Sequence, residues 1–93
     1  MHNPAHPGEI LKEDIIAPLH LNMEDTANHL GITRKHLSRI CNGKARLSAD
    51  VAVRLEQAFG APSAVTWMRM QVKYDVWEAK ENDQKPIEPI KAA

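Results

Sequence analysis

Apolar positions recur along this chain at three- and four-residue steps, with Gly and Pro marking the breaks, and no window alternates in the manner of a strand. Pro7 stands where a helix begins, with Glu9 in its first turn. Ile10, Leu11 and Ile15 follow as one apolar stripe that Pro18 ends. Asn22 is placed to cap a second helix running to Leu30, with Ala27 and Leu30 facing inward. Gly31 supplies the left-handed residue of a tight turn, Ile32 plugs the core, and Thr33 caps a third helix ending near Asn42-Gly43.

Ser48 opens a fourth helix that turns Val51, Ala52, Leu55, Ala58 and Phe59 to the core, and Gly60 stops it. After the Ala61-Pro62-Ser63 turn a fifth helix extends from about Ser63 to Ala79. The remainder is polar, carries two prolines and has no periodic apolar face. The pattern predicts an all-α fold of five helices over residues 7–79 and a flexible tail over 80–93. Residues 1–6 read as frayed.

Composition narrows the class. Ninety-three residues support one core but no roomy enzyme cleft. A single cysteine excludes an internal disulfide, and no apolar run is long enough to span a bilayer. The opening residues carry neither a basic start nor an apolar run, so a cytoplasmic protein that does not contact membranes is expected. No Gly-rich phosphate loop or paired acids suggest catalysis or a cofactor. His2 and His6 are four apart but lack a third ligand, so no metal site is expected. Cys41 falls on the packed side of its helix and reads as a small core residue.

Charge changes the picture most. The chain is neutral overall, yet residues 1–32 sum to −4, residues 33–49 to +5 and residues 50–93 to −1. On an ideal wheel starting at Arg34, Ser38, Asn42, Lys35 and Arg39 fall at about 40°, 80°, 100° and 140°. Ile40, Leu37 and Cys41 lie opposite, near 240°, 300° and 340°. One side packs. The other is a strip of long donors with no acid, as a helix in a DNA major groove requires. Arg34, Lys35 and Arg39 suit guanine acceptors, while Asn42, Lys44 and Arg46 suit neighbouring phosphates.

The fifth helix has two apolar sides on the same wheel. Val65, Met68, Val72 and Val76 group within about 80° and are expected to face the core. Trp67, Met70, Tyr74 and Trp77 group opposite and are expected to form a homodimer contact, unless that side simply lies over the first helix. A dimer supplies two reading heads for a palindromic site.

The stretch from Leu21 to Gly60 resembles the helix-turn-helix of phage repressors and Cro-type regulators, a lambda-repressor-like fold. Two flanking motifs, His6-Pro7-Gly8-Glu9-Ile10-Leu11 and Trp67-Met68-x-Met70-Gln71-x-x-Tyr74-Asp75, narrow the resemblance to HigA-type antitoxins, the virulence-associated protein I family. The resemblance implies a homodimer that binds an inverted repeat in double-stranded operator DNA, represses its own operon and neutralises a RelE-like messenger-RNA-cleaving toxin. It also implies Thr33, Arg34, Lys35, Ser38 and Arg39 as recognition-helix contacts, with Asn42 and Lys44 beside the backbone. Met23 stands where phage repressors often have a phosphate-contacting Gln, and Met70 where Leu is common. The alternatives are a stand-alone regulator without a toxin partner and a toxin-binding protein with vestigial DNA contacts.

Overall fold

Each of the later helices begins on a side-chain cap, and the caps fix the architecture. In the computed structural model, which describes residues 3–82 and 85–91, Asn22 Oδ1 accepts the Asp25 amide at 3.1 Å and opens α2 (Met23–Leu30). Thr33 Oγ1 accepts the His36 amide at 3.0 Å and opens α3 (Arg34–Cys41). Ser48 and Ser63 do the same for α4 (Ala49–Phe59) and α5 (Ala64–Glu81), through the amides of Val51 and Thr66. Such a cap satisfies an amide that the helix leaves unpaired, worth about 1 kcal/mol each.

The chain enters through α1 (Pro7–Ile10), which passes into a π-helical turn at Leu11–Ile16. Its wider bonds run from the Ala17 amide to the Lys12 carbonyl (2.9 Å) and from the Leu21 amide to the Ile16 carbonyl (3.0 Å). Pro18 sits between those donors and has no amide of its own, so regular winding ends here. His20 then takes a left-handed conformation at φ 54° to redirect the chain into α2.

Among the described residues the elements are all helical. Leu11 and Ile16 from the first element meet Ala27 and Leu30 of α2, Leu37, Ile40 and Cys41 of α3, and Val51, Ala52 and Leu55 of α4. Leu47, from the connection before α4, and Trp67 of α5 complete this core.

Three expectations require correction. The first concerns α5: of the side expected to face the core only Met68 packs there, and the opposite side turns inward. Trp67 is fully buried, Met70 packs on the core, and Tyr74 and Trp77 are half-buried against their own chain, whereas Val65, Val72 and Val76 are 61%, 52% and 47% exposed. Turning inward the side that carries two indoles, a phenol and a thioether removes more apolar surface from water than turning inward three valines and a thioether. Trp67 is therefore a core residue and not an exposed dimer contact.

The second concerns the start of the chain, because His6 is not frayed. It is 3% exposed, and its Nδ1 accepts the Gly8 amide at 2.9 Å as the cap of α1. The third is a boundary: Lys80 and Glu81, both good helix formers, continue α5 beyond Ala79. Residues 85–91 are exposed and without regular structure. The expected tail otherwise includes residues 83, 84, 92 and 93, which lie outside the described residues, as do Met1 and His2.

Candidate nucleic-acid interface

The turn between α2 and α3 sets the angle at which α3 is offered to solvent. Gly31 occupies it at φ 76°, ψ 28°, and the Ile32 amide returns to the Ala27 carbonyl at 3.0 Å, closing the end of α2. Arg54 of α4 reaches across: its Nη1 donates to the Leu30 carbonyl at 2.9 Å and its Nε to Asp50 at 3.0 Å. A Cβ on Gly31 would press on that guanidinium, which could swing aside only by giving up its bond to the Leu30 carbonyl, so it is the positive φ that makes the turn demand glycine. Arg54 was not among the residues expected at the site. The only local sign of it is the four-residue Asp50–Arg54 spacing.

On α3 the packed side is Leu37, Ile40 and Cys41, all fully or almost fully buried, and burial pushes the Cys41 thiol above its ordinary value. The opposite side exposes Thr33, Arg34, Lys35, Arg39 and Asn42, with Ser38 half-buried between them. Asn42 Nδ2 donates to Ser38 Oγ at 3.4 Å, a weak bond that leaves both groups open to other partners. Among the described residues, Arg34, Lys35, Arg39 and Lys44 take part in no ion pair. Arg39 instead sends its Nη2 to the Lys44 carbonyl at 3.2 Å, while the amides of Lys44 and Ala45 return to the Arg39 carbonyl at 2.8 and 3.2 Å. The connection after α3 thus wraps around Arg39.

Arg46 behaves differently from its neighbours. Its Nη2 donates to Asp75 Oδ2 at 2.7 Å, so its charge is already engaged by α5. Burial alone would raise the Asp75 carboxyl, but the hydrogen bonds from Arg46 and Gln71 outweigh it and hold the group below the ordinary carboxylate range. Gln71 is 1% exposed, accepts the Leu47 amide at 2.7 Å and donates to Asp75 Oδ1 at 2.7 Å. Near this network the His6 ring meets the Tyr74 ring edge-on with centroids 4.8 Å apart, and Gly43 lies against His6. The two motifs that flank the helix-turn-helix in sequence therefore meet behind it in space. Their roles were invisible to spacing alone, because Gln71 and Leu47 are 24 positions apart.

The helix-turn-helix family matches residues 11–65, more than half of the chain. This chain belongs to that family, as an antitoxin-like DNA-binding protein of the HigA and virulence-associated type. Virulence-associated protein A of Dichelobacter nodosus is 41% identical over 93 residues, covering all of this chain and 91% of that protein. Among solved structures, the antitoxin GraA superposes with a TM-score of 0.82 at 27% identity, covering 87% of this chain and 86% of that one. The Pseudomonas aeruginosa antitoxin HigA, solved with the higBA promoter, gives a TM-score of 0.78 at 28% identity, covering 90% of this chain and 98% of that one. The family is a non-enzymatic class of DNA-binding regulators and antitoxins. Among the described residues no helix is long and apolar enough to cross a membrane.

Proposed function

We propose that this chain binds an inverted repeat in its own promoter as a homodimer, represses its operon and neutralises a RelE-like messenger-RNA-cleaving toxin. The observation that carries the DNA half is the outward side of α3, where Arg34, Lys35 and Arg39 stand exposed with no acid among residues 33–49. Thr33, Ser38 and Asn42 add short donors along the same side, and Lys44 stands beside it on the following connection. In this reading Arg34, Lys35 and Arg39 donate to base edges and Lys44 to the phosphate backbone. Arg46 stays with Asp75 rather than joining them.

The dimer half moves to the outer side of α5. Val65 and Val72 stand exposed beside Val53 of α4, and with Ala49, Ala64 and Met68 they line a groove of about 570 Å³ that Arg69 and Lys73 also border, with Val76 exposed one turn further along α5. A second copy is the occupant that would give α3 the two-fold symmetry a palindromic site demands. The toxin half rests on likeness to antitoxins of known structure. Purification of the native protein from its own cells, followed by identification of what accompanies it, tests that half. An accompanying ribonuclease that the chain inhibits supports it, and a lone promoter-bound dimer favours the stand-alone regulator.

A further inference from the structure

We infer that Gln71 and Asp75 are positioning residues for DNA reading, holding from behind the connection that aims Arg39. The inference rests on the DNA half of the proposed function. Gln71 Oε1 accepts the Leu47 amide, Gln71 Nε2 donates to Asp75 Oδ1, and Asp75 Oδ2 takes the Arg46 guanidinium, each at 2.7 Å. Two successive residues of the α3–α4 connection are thereby fixed to one turn of α5. The same connection supplies the Lys44 carbonyl that receives the Arg39 guanidinium, and its amides at Lys44 and Ala45 close on the Arg39 carbonyl.

The geometry therefore runs from a buried amide on α5, through the Leu47 backbone, to the orientation of an exposed reader some eight positions back in the chain. Gln71 is suited to this and to little else. A buried amide with both ends occupied contributes no charge to the DNA face, and none of its contacts is with solvent. Its replacement by an apolar residue of similar length leaves the Leu47 amide without an acceptor in the interior, where an unpaired donor is unfavourable. The connection can then relieve that only by shifting toward water. Because the shift alters aim and not charge, it should lower affinity for the matched sequence and spare affinity for any other.

A competing account is that Asp75 merely sequesters Arg46 from phosphates. It predicts an unchanged ratio of upstream to random affinity for loss of Asp75, since a freed Arg46 would strengthen binding to every sequence.

The test uses the full chain with two probes, the duplex immediately upstream of its own reading frame and a random duplex of equal length. Gln71→Met is expected to lose about tenfold in affinity for the upstream duplex and to leave the random duplex unchanged, with faster exchange of the Leu47 amide. The swap Gln71→Glu with Asp75→Asn keeps all three hydrogen bonds and the net charge, and is expected to restore both readouts. Should Gln71→Met fail to fold, Asp75→Ala takes its place: the freed Arg46 adds the same electrostatic gain to both duplexes, so the expected readout is a fall in the ratio of upstream to random affinity. Equal losses on both duplexes, a swap that protects Leu47 without restoring affinity, or an Asp75→Ala chain whose ratio of upstream to random affinity is unchanged overturns the inference. A wild-type chain that does not prefer the upstream duplex overturns the functional reading together with it. Wild-type preference that Gln71→Met retains in full overturns this inference alone.

Discussion

Gly8 sits so close to the Ile40 carbonyl that a Cβ built on it would overlap that oxygen, far inside van der Waals contact. The start of α1 thereby lies directly on the end of α3, with backbone against backbone and no side chain between them. The obstruction is peptide and not the end of a flexible side chain, so it cannot swing aside. Gly8→Ala should destabilise the fold by ~3 kcal/mol, in the upper range for forced overpacking. Denaturant unfolding checks this, and an unchanged midpoint would mean that α1 and α3 have more slack than the geometry allows.

His6 gives the fold a pH dependence of definite sign. Burial holds its imidazole below the ordinary 6.5, outweighing Glu9, Asp75, Glu78 and the Ala45 backbone, which pull the other way. Its Nδ1 must also stay unprotonated to accept the Gly8 amide. With the folded value below the unfolded one, the unfolded chain takes up a proton first as pH falls. Stability contributed by neutral His6 is complete above about 6.5, declines as pH drops toward the lowered folded value and then levels off. Unfolding free energies of wild type and His6→Gln across pH 7.5 to 5 (roughly the histidine range) should diverge at the upper end and converge at the lower. Parallel curves would contradict the assignment.

The exchanged sides of α5 make a distinction that mutation can read. Val72→Glu places a charge on an exposed side chain and should leave folding intact while raising the dimer dissociation constant at least about tenfold. Trp67→Glu would instead put that charge into the core and unfold the chain. Mass photometry across concentration, with circular dichroism on each variant, separates the two. A Val72→Glu chain that remains as dimeric as wild type would exclude this side as the contact.

What could be read in advance divides along a physical line. Local chemistry was legible: Asn22, Thr33, Ser48 and Ser63 cap the helices they were expected to open or border, and Gly31 and Gly60 take the positive φ that stops demand. The packed and outward sides of α3 also follow from its periodicity. Periodicity alone could not say which side of α5 faces in, because it groups residues without ranking what each group gains by burial. His6 was missed because a histidine cap has no strong sequence signature, and its placement depends on Tyr74 from the far end of the chain. Gln71, Asp75 and Arg46 share that character. Their roles exist only after tertiary folding brings α5 behind the α3–α4 connection.

Arg39 and Lys44 should separate cleanly by mutation despite their contact. Arg39→Ala is expected to cost ~1–3 kcal/mol on the preferred sequence and to relax preference at one base step. Lys44→Ala should weaken preferred and random duplexes by about the same factor, as loss of a phosphate contact does. Competition binding with single-base variants of the site reads both. Equal proportional losses for Arg39→Ala on the two kinds of duplex would remove it from the base readers.

If the outward side of α3 engages the DNA polyanion, binding to the upstream duplex must weaken as salt rises. For a dimer, the plot of log affinity against log salt should have a slope between about −2 and −7, the first if only Lys44 of each protomer neutralises a phosphate and the second if Arg34, Lys35 and Arg39 do so as well. Replacing all four with alanine should flatten it. A slope near zero in the wild-type chain, or one that the four replacements leave unchanged, would mean that α3 does not meet the phosphates.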